Sequence, residues 1–283
     1  MKKLFLMLIF LLVFAGCSNN EQKDVVDQNV DSYVDSFIET MVMDYVVFEE
    51  HEYVVNFYVM GALNKLEDFD KSRIDLDENE LSIYLNSLEK TPLNLFKIVI
   101  SNDFFGLDQT NVINELNLIE AESITSVYDM LNIIYALNVL GIENELKNTF
   151  EEYVLDLENN SYSDSDYASQ VIIALANKDY DLTSHRNLII ESLSTEGINS
   201  WGNNNSASTA IAVMAFLALN ENPRDINGID LISILFDYKL DNAFKWLKED
   251  SEADLSFSTP QAFSAFLLYQ EFKKLDKRIN VFS

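Results

Sequence analysis

The stretch ASTAIAVMAFLAL, residues 207 to 219, carries no charge and is apolar or small on every side. A helix that is hydrophobic all round has to be buried all round. It is too short to cross a bilayer, which takes about 20 apolar residues. A chain that contains it must therefore wrap it in other helices of its own.

The rest of the sequence supplies them. Further runs that are apolar on most faces cover Val54 to Leu63, Leu93 to Ile100, Val127 to Leu140, Tyr167 to Ala176 and Gln261 to Tyr269. Between them lie segments with a single apolar face, at Leu81, Tyr84, Leu85 and Leu88, at Leu146, Phe150, Tyr153 and Leu157, and at Ile229, Ile232, Leu235 and Phe236. Comparable points near the starts of the buried runs, from Val54 to Thr259, recur every 34 to 51 residues. A period near forty is the signature of helical hairpins stacked side by side. The longest interval contains LDNAFKWLKEDSEADLSF, read as an insertion with a short amphipathic helix around Trp246. Seven Gly and three Pro leave little room for tight β-turns, so the expected class is all-α. Capping residues precede the buried helices: Thr91 before Pro92, Thr259 before Pro260, Asp164 to Asp166 before Tyr167, and Ser206 or Ser208 at the quoted run. The inner helices carry few charges, which favours a closed double ring of five or six hairpins over an open superhelix.

The segments DYASQVIIALANKDYD from 166, SASTAIAVMAFLALNENP from 206 and STPQAFSAFLLYQEF from 258 repeat one theme: a small or hydroxyl residue, then Thr or Gln, then an apolar run. TEGINSW, ending at Trp201, and EADLSFSTPQ, around Phe257, look like worn glycine-aromatic turns between repeats. These segments resemble the repeats of the prenyltransferase and squalene-cyclase-like α/α toroids, most of all those of secreted Gram-positive surface proteins. The resemblance covers about residues 164 to 274 well and 30 to 160 thinly, and it implies inner helices around a central cavity.

The chemistry of that family transfers poorly. Its protein prenyltransferases hold zinc through Asp, Cys and His, and zinc needs such ligands in tetrahedral array. Here the sole cysteine is Cys17 and the two histidines are His51 and His185, so no metal or cofactor is expected. Its class II terpene cyclases use a DxDD motif whose acid protonates an alkene. In DSDYAS, Asp164 and Asp166 match the first two acids, but Tyr167 replaces the third. Asp164 and Asp166 are more simply read as helix caps; Asp166 is the candidate acid of the alternative. DLDENE, Asp75 to Glu80, begins like a calcium loop but has Glu80 where glycine belongs and Asn86 where the last carboxylate belongs. His185, in TSHRN, reads as surface, with a triad to a distant serine left open. The aromatic residues on inner helices, among them Tyr128, Tyr135, Phe216, Phe263, Phe266 and Tyr269, either line a ligand cavity or fill the ring; filling is the preferred reading.

At the amino end, MKKLFLMLIFLLVFAGC has the charged, apolar and small-residue order of a secretory signal. It resembles a bacterial lipoprotein signal over residues 1–16, departing from it at Phe14, with an uncleaved anchor as the other reading. Cys17 then bears the lipid, residues 17–30 form a polar tether, and 31–283 form the toroid domain. The formal charge is −28, and −30 without Lys2 and Lys3, which argues against nucleic acid as a partner. The expected protein is a lipid-anchored lipoprotein on the extracytoplasmic face of the cell membrane. Its toroid is non-catalytic and binds a hydrophobic small molecule or a surface protein. The alternatives are a terpenoid cyclase or prenyltransferase-type enzyme, and a scaffold or adhesin. The residues expected at the toroid's mouth are Asp164, Asp166, Tyr167, Trp201, Asn203, Asn205, Trp246, Phe257 and Gln261.

Overall fold

The computed structural model describes residues 24–46, 55–67, 69–74, 77–159 and 164–283. The signal, Cys17, the first part of the tether and His51 lie outside the described residues. The described chain is mostly helical. Helices buried on most sides alternate with one-faced ones. Six of the first kind are α3 (Phe57–Leu63), α5 (Pro92–Phe105), α7 (Val127–Val139), α9 (Ser165–Leu175), α11 (Ser206–Ala218) and α13 (Ser258–Leu275). The others are α1 (Val25–Thr40), α2 (Val42–Val46), α4 (Glu78–Ser87), α6 (Thr110–Asn117), α8 (Glu145–Leu155), α10 (Thr183–Glu191) and α12 (Leu231–Phe236).

Each helix of the first set packs on the next, from α3 through to α13, and α13 packs back on α3. Contacts thus pass from each of the six to the next and from the last back to the first, a ring of contacts. In α11 every residue except Ala207 is buried, as a uniformly apolar helix requires. The one-faced helices lie against them: α6 on α5, α8 on α7, α10 on α9, α12 on α11 and α1 on α13. Helix α1 is tied to α13 by the Tyr269 hydroxyl, which donates to Asp27 at 2.8 Å, and by Gln270, which donates to Asp31 at 2.7 Å. It starts at Val25 and buries Val30, so residues 25 to 30, read as tether, belong to the folded part.

Five ring helices start on a polar side chain that accepts a first-turn amide. These caps are Asn56, Thr91, Ser126, Asp164 and Asn205. Each stabilises its helix by about 1 kcal/mol. Before α11 the cap is thus Asn205, not Ser206 or Ser208. The serines at helix starts reach outward instead: Ser165 Oγ donates to the Asn199 carbonyl and Ser206 Oγ to the Lys245 carbonyl. Thr259 is not a cap either. Its hydroxyl accepts from Phe244 N at 3.0 Å, just as Thr209 accepts from Ile198 N at 3.0 Å. Each threonine pins the hairpin that precedes its helix, and this is the structural form of the repeated theme.

Those hairpins are the main departure from the expected all-helical chain. Strands β1 (Leu193–Ser194), β2 (Gly197–Ser200) and β3 (Asn203–Asn205) make an antiparallel sheet in that order, and β4 (Lys239–Leu240) pairs with β5 (Ala243–Phe244). Residues around Trp246, expected as a helix, follow β5 in turns. Few glycines are needed because other residues take the left-handed turn positions: Trp201 at φ 57°, Asn227 at 53° and Asp241 at 54°.

Residues 278–283 lie against five ring helices. Phe282 meets the rings of Phe57, Tyr58, Phe96 and Tyr135, with centroids 4.7 to 6.0 Å away. Asn280 donates to the Ile173 carbonyl at 2.7 Å, Arg278 to that of Ala176, and the Ile279 amide to that of Leu217. The segment thus touches α3, α5, α7, α9 and α11.

A candidate ligand cleft at the starts of three inner helices

The starts of α9, α11 and α13, with the turns feeding them, enclose an open cleft of ≈ 620 Å³. Of the residues expected at the mouth, Asp166, Trp201, Asn205, Trp246, Phe257 and Gln261 line it. Three do not. Asp164 caps α9 through the Tyr167 amide at 2.8 Å. Tyr167 is fully buried, and its hydroxyl donates to the Val154 carbonyl at 2.6 Å, away from the cleft. Asn203 is exposed on β3, paired with Ser200, outside the lining.

Trp201 and Gly202 (φ 85°) form the two-residue turn between β2 and β3, with both residues in the left-handed region. That is a type I′ turn, which favours Asn-Gly and tolerates an aromatic poorly. A tryptophan held at such a position is strained, and strain of this kind collects at functional sites. Its side chain is 68% exposed, and its Nε1 donates to Asp166 Oδ2 at 3.1 Å. Phe257 is 65% exposed and Trp246 38%. Three large aromatic side chains thus stand open around one cleft.

The cleft floor is polar and incompletely satisfied. Gln261 is 6% exposed, and its Oε1 has no hydrogen-bond partner. Asp166 Oδ1 is buried without a partner, and so is Ser200 Oγ close by. Burial raises the Asp166 carboxyl above its ordinary 3.8, and Asp164 adds to the shift. The Ser208, Trp201 and Ser200 side chains oppose it, although the serine hydroxyls make no well-aligned bond to Oδ1. Asp166 is therefore not the simple helix cap it was read as. Asn205, by contrast, is committed to the Ser208 amide and to backbone carbonyls.

Four lining residues were not anticipated: Ala207, Ser208, Ile211 and Asp254. Asp254 accepts from the amides of Ser256, Phe257 and Ser258 and from the Ser258 hydroxyl. An acid four residues before SerThrPro is a capping signal that marks it out.

His185, read as surface, is 1% exposed, and neither ring nitrogen makes a well-aligned hydrogen bond. Burial lowers its pKa below 6.5, with the Val154 carbonyl opposing. No serine–histidine bond exists among the described residues, so nothing in the structure carries a triad. No cluster of three or more potential metal ligands occurs among the described residues. Asp77, from the calcium-like stretch, caps α4. A second cleft of ≈ 560 Å³ lies between α4 and α6, but no residue lining it has a buried polar atom without a partner.

No family model matches the chain, and no curated protein matches it in sequence.

Proposed function

We propose that the protein is an extracytoplasmic lipoprotein, held to the membrane through Cys17, whose α/α toroid captures a ligand at the mouth of the ring without transforming it. The closed contact of α13 with α3 supports the toroid. The order of charged, apolar and small residues before Cys17 supports the anchor. The single observation that carries the capture reading is the cleft itself, where three exposed aromatics face buried polar atoms that lack partners. Ligand sites combine apolar walls with a few placed polar groups in this way.

The cyclase-type alternative needs a hollow, dry interior behind Asp166. Tyr135, Phe96, Tyr58 and Phe282 are buried against one another instead, which counts against such an interior. The test is native mass spectrometry of the domain from about residue 25, purified after expression in bacteria. Capture at the mouth predicts that any retained molecule is lost in Trp246→Ala. A polyisoprenoid retained equally by wild type and Trp246→Ala would refute it in favour of a hollow centre. Replacing Cys17 by Ser should release the full-length protein from membranes, and unchanged membrane attachment would refute the lipid anchor.

A further inference from the structure

We infer that the ligand of this cleft is a neutral saccharide, an inference that rests on the capture reading above. Pyranose rings present flat C–H faces beside rings of hydroxyl groups. They are held by exposed aromatic platforms together with buried acceptors that the free protein leaves empty. Trp201, Trp246 and Phe257 supply the platforms, and Gln261 Oε1 and Asp166 Oδ1 supply the acceptors. The Asp166–Trp201 bond fixes the indole relative to the floor, so platform and acceptor are positioned together.

Other chemistries fit less well. An isoprenoid would cover the aromatics but leave both buried acceptors unpaired, which is costly. An anion would meet Asp166 and Asp254 in a chain of net charge −28, with no Lys or Arg in the lining. A cation would gain little, because the positive ends of α9, α11 and α13 point at the same space. Asp254 already spends its carboxylate on three amides and a hydroxyl. A hydroxyl-rich neutral molecule meets none of these objections.

The chain's two tryptophans both line the cleft, so its indole fluorescence reports this site alone. The experiment titrates the domain with tetrasaccharides of β-1,4-linked N-acetylglucosamine, of β-1,4-linked glucose and of α-1,4-linked glucose. Geranylgeraniol serves as the apolar comparison. A saturable fluorescence change with at least one sugar, half-complete at or below about 1 mM, is expected. Gln261→Leu should weaken it by about tenfold or more by removing a buried acceptor. Trp201→Asn should do the same while keeping or improving the fold, since Asn-Gly suits the turn better than Trp-Gly. A response to geranylgeraniol and to no sugar would overturn the saccharide while leaving capture standing. Silence toward every probe would overturn the saccharide and count against capture as well. Sugar binding unchanged in both variants would overturn the assignment to this cleft.

Discussion

Replacing Phe282 by Ala tests whether the ring is closed over a filled centre. The side chain is 1% exposed, with four aromatic rings around it, the nearest being Tyr135 at 4.7 Å and Phe96 at 5.0 Å. Gly61 faces the same segment so closely that a Cβ there would sit 2.9 Å from Phe282 and Val281 atoms. A centre this tight cannot collapse easily around a missing ring. Phe→Ala in such a site costs about 3–5 kcal/mol, and lost ring–ring contacts place this case toward the upper end. For a domain of this size each kcal/mol lowers Tm by roughly 2–4 °C, so a fall of roughly 8–20 °C follows. Urea unfolding followed by far-ultraviolet circular dichroism supplies the free energy, and an unchanged m-value would show that the folded state stays compact. Phe282→Leu, which keeps most of the volume, should recover a good part of the loss. A cost below about 1 kcal/mol, typical of a surface change, would refute the filled centre.

Three further outcomes follow from the site and its surroundings. Asp166→Asn should stabilise the fold at about pH 7, because a carboxyl whose folded pKa is raised loses stability as pH rises from 3.8 through the folded value. The gain should vanish toward about pH 3, and a constant Tm difference across that range would contradict the burial argument. His185 is a base with a lowered folded pKa, so its contribution is intact above 6.5 and lost as pH falls toward the folded value. His185→Phe should therefore flatten the fall in Tm between about pH 7 and 5, and parallel curves for the two proteins would show that His185 is not the group responsible. Gly197 sits at φ 115° with the Thr209 hydroxyl 2.5 Å from where a Cβ would be. Gly197→Ala should cost at least 1–3 kcal/mol of backbone strain and loosen β2 from α11, read as a lower urea midpoint.

The inner helices were legible because a helix buried on all sides needs no partner pattern to reveal it. The runs begun at Leu93, Val127 and Tyr167 lie within two residues of the observed starts of α5, α7 and α9. The hairpins were hidden for a local reason. Their turns place Trp201 and Asp241 in left-handed backbone, so a count of glycines underestimates them. Burial of His185 could not be read from TSHRN, since the wall around it comes from Tyr167 and the neighbouring hairpin of helices. At the cleft, residues at helix starts were visible as a group. Which of them turn inward depends on the rotation of each helix: Asp166 and Tyr167 are sequence neighbours, yet one opens on the cleft and the other on Val154.

The contact between α13 and α3 has a kinetic side. The other five joints of the ring link hairpins that follow one another in the chain, so each can form soon after its two halves meet. Joining α13 to α3 instead closes a loop of about 200 residues, an entropic cost near 4–5 kcal/mol on a (3/2)RT ln n scale. On that account the step should limit the folding rate. Until it is complete, the apolar flanks of α3 and α13 are open to other copies of the chain, so refolding yield should fall as protein concentration rises.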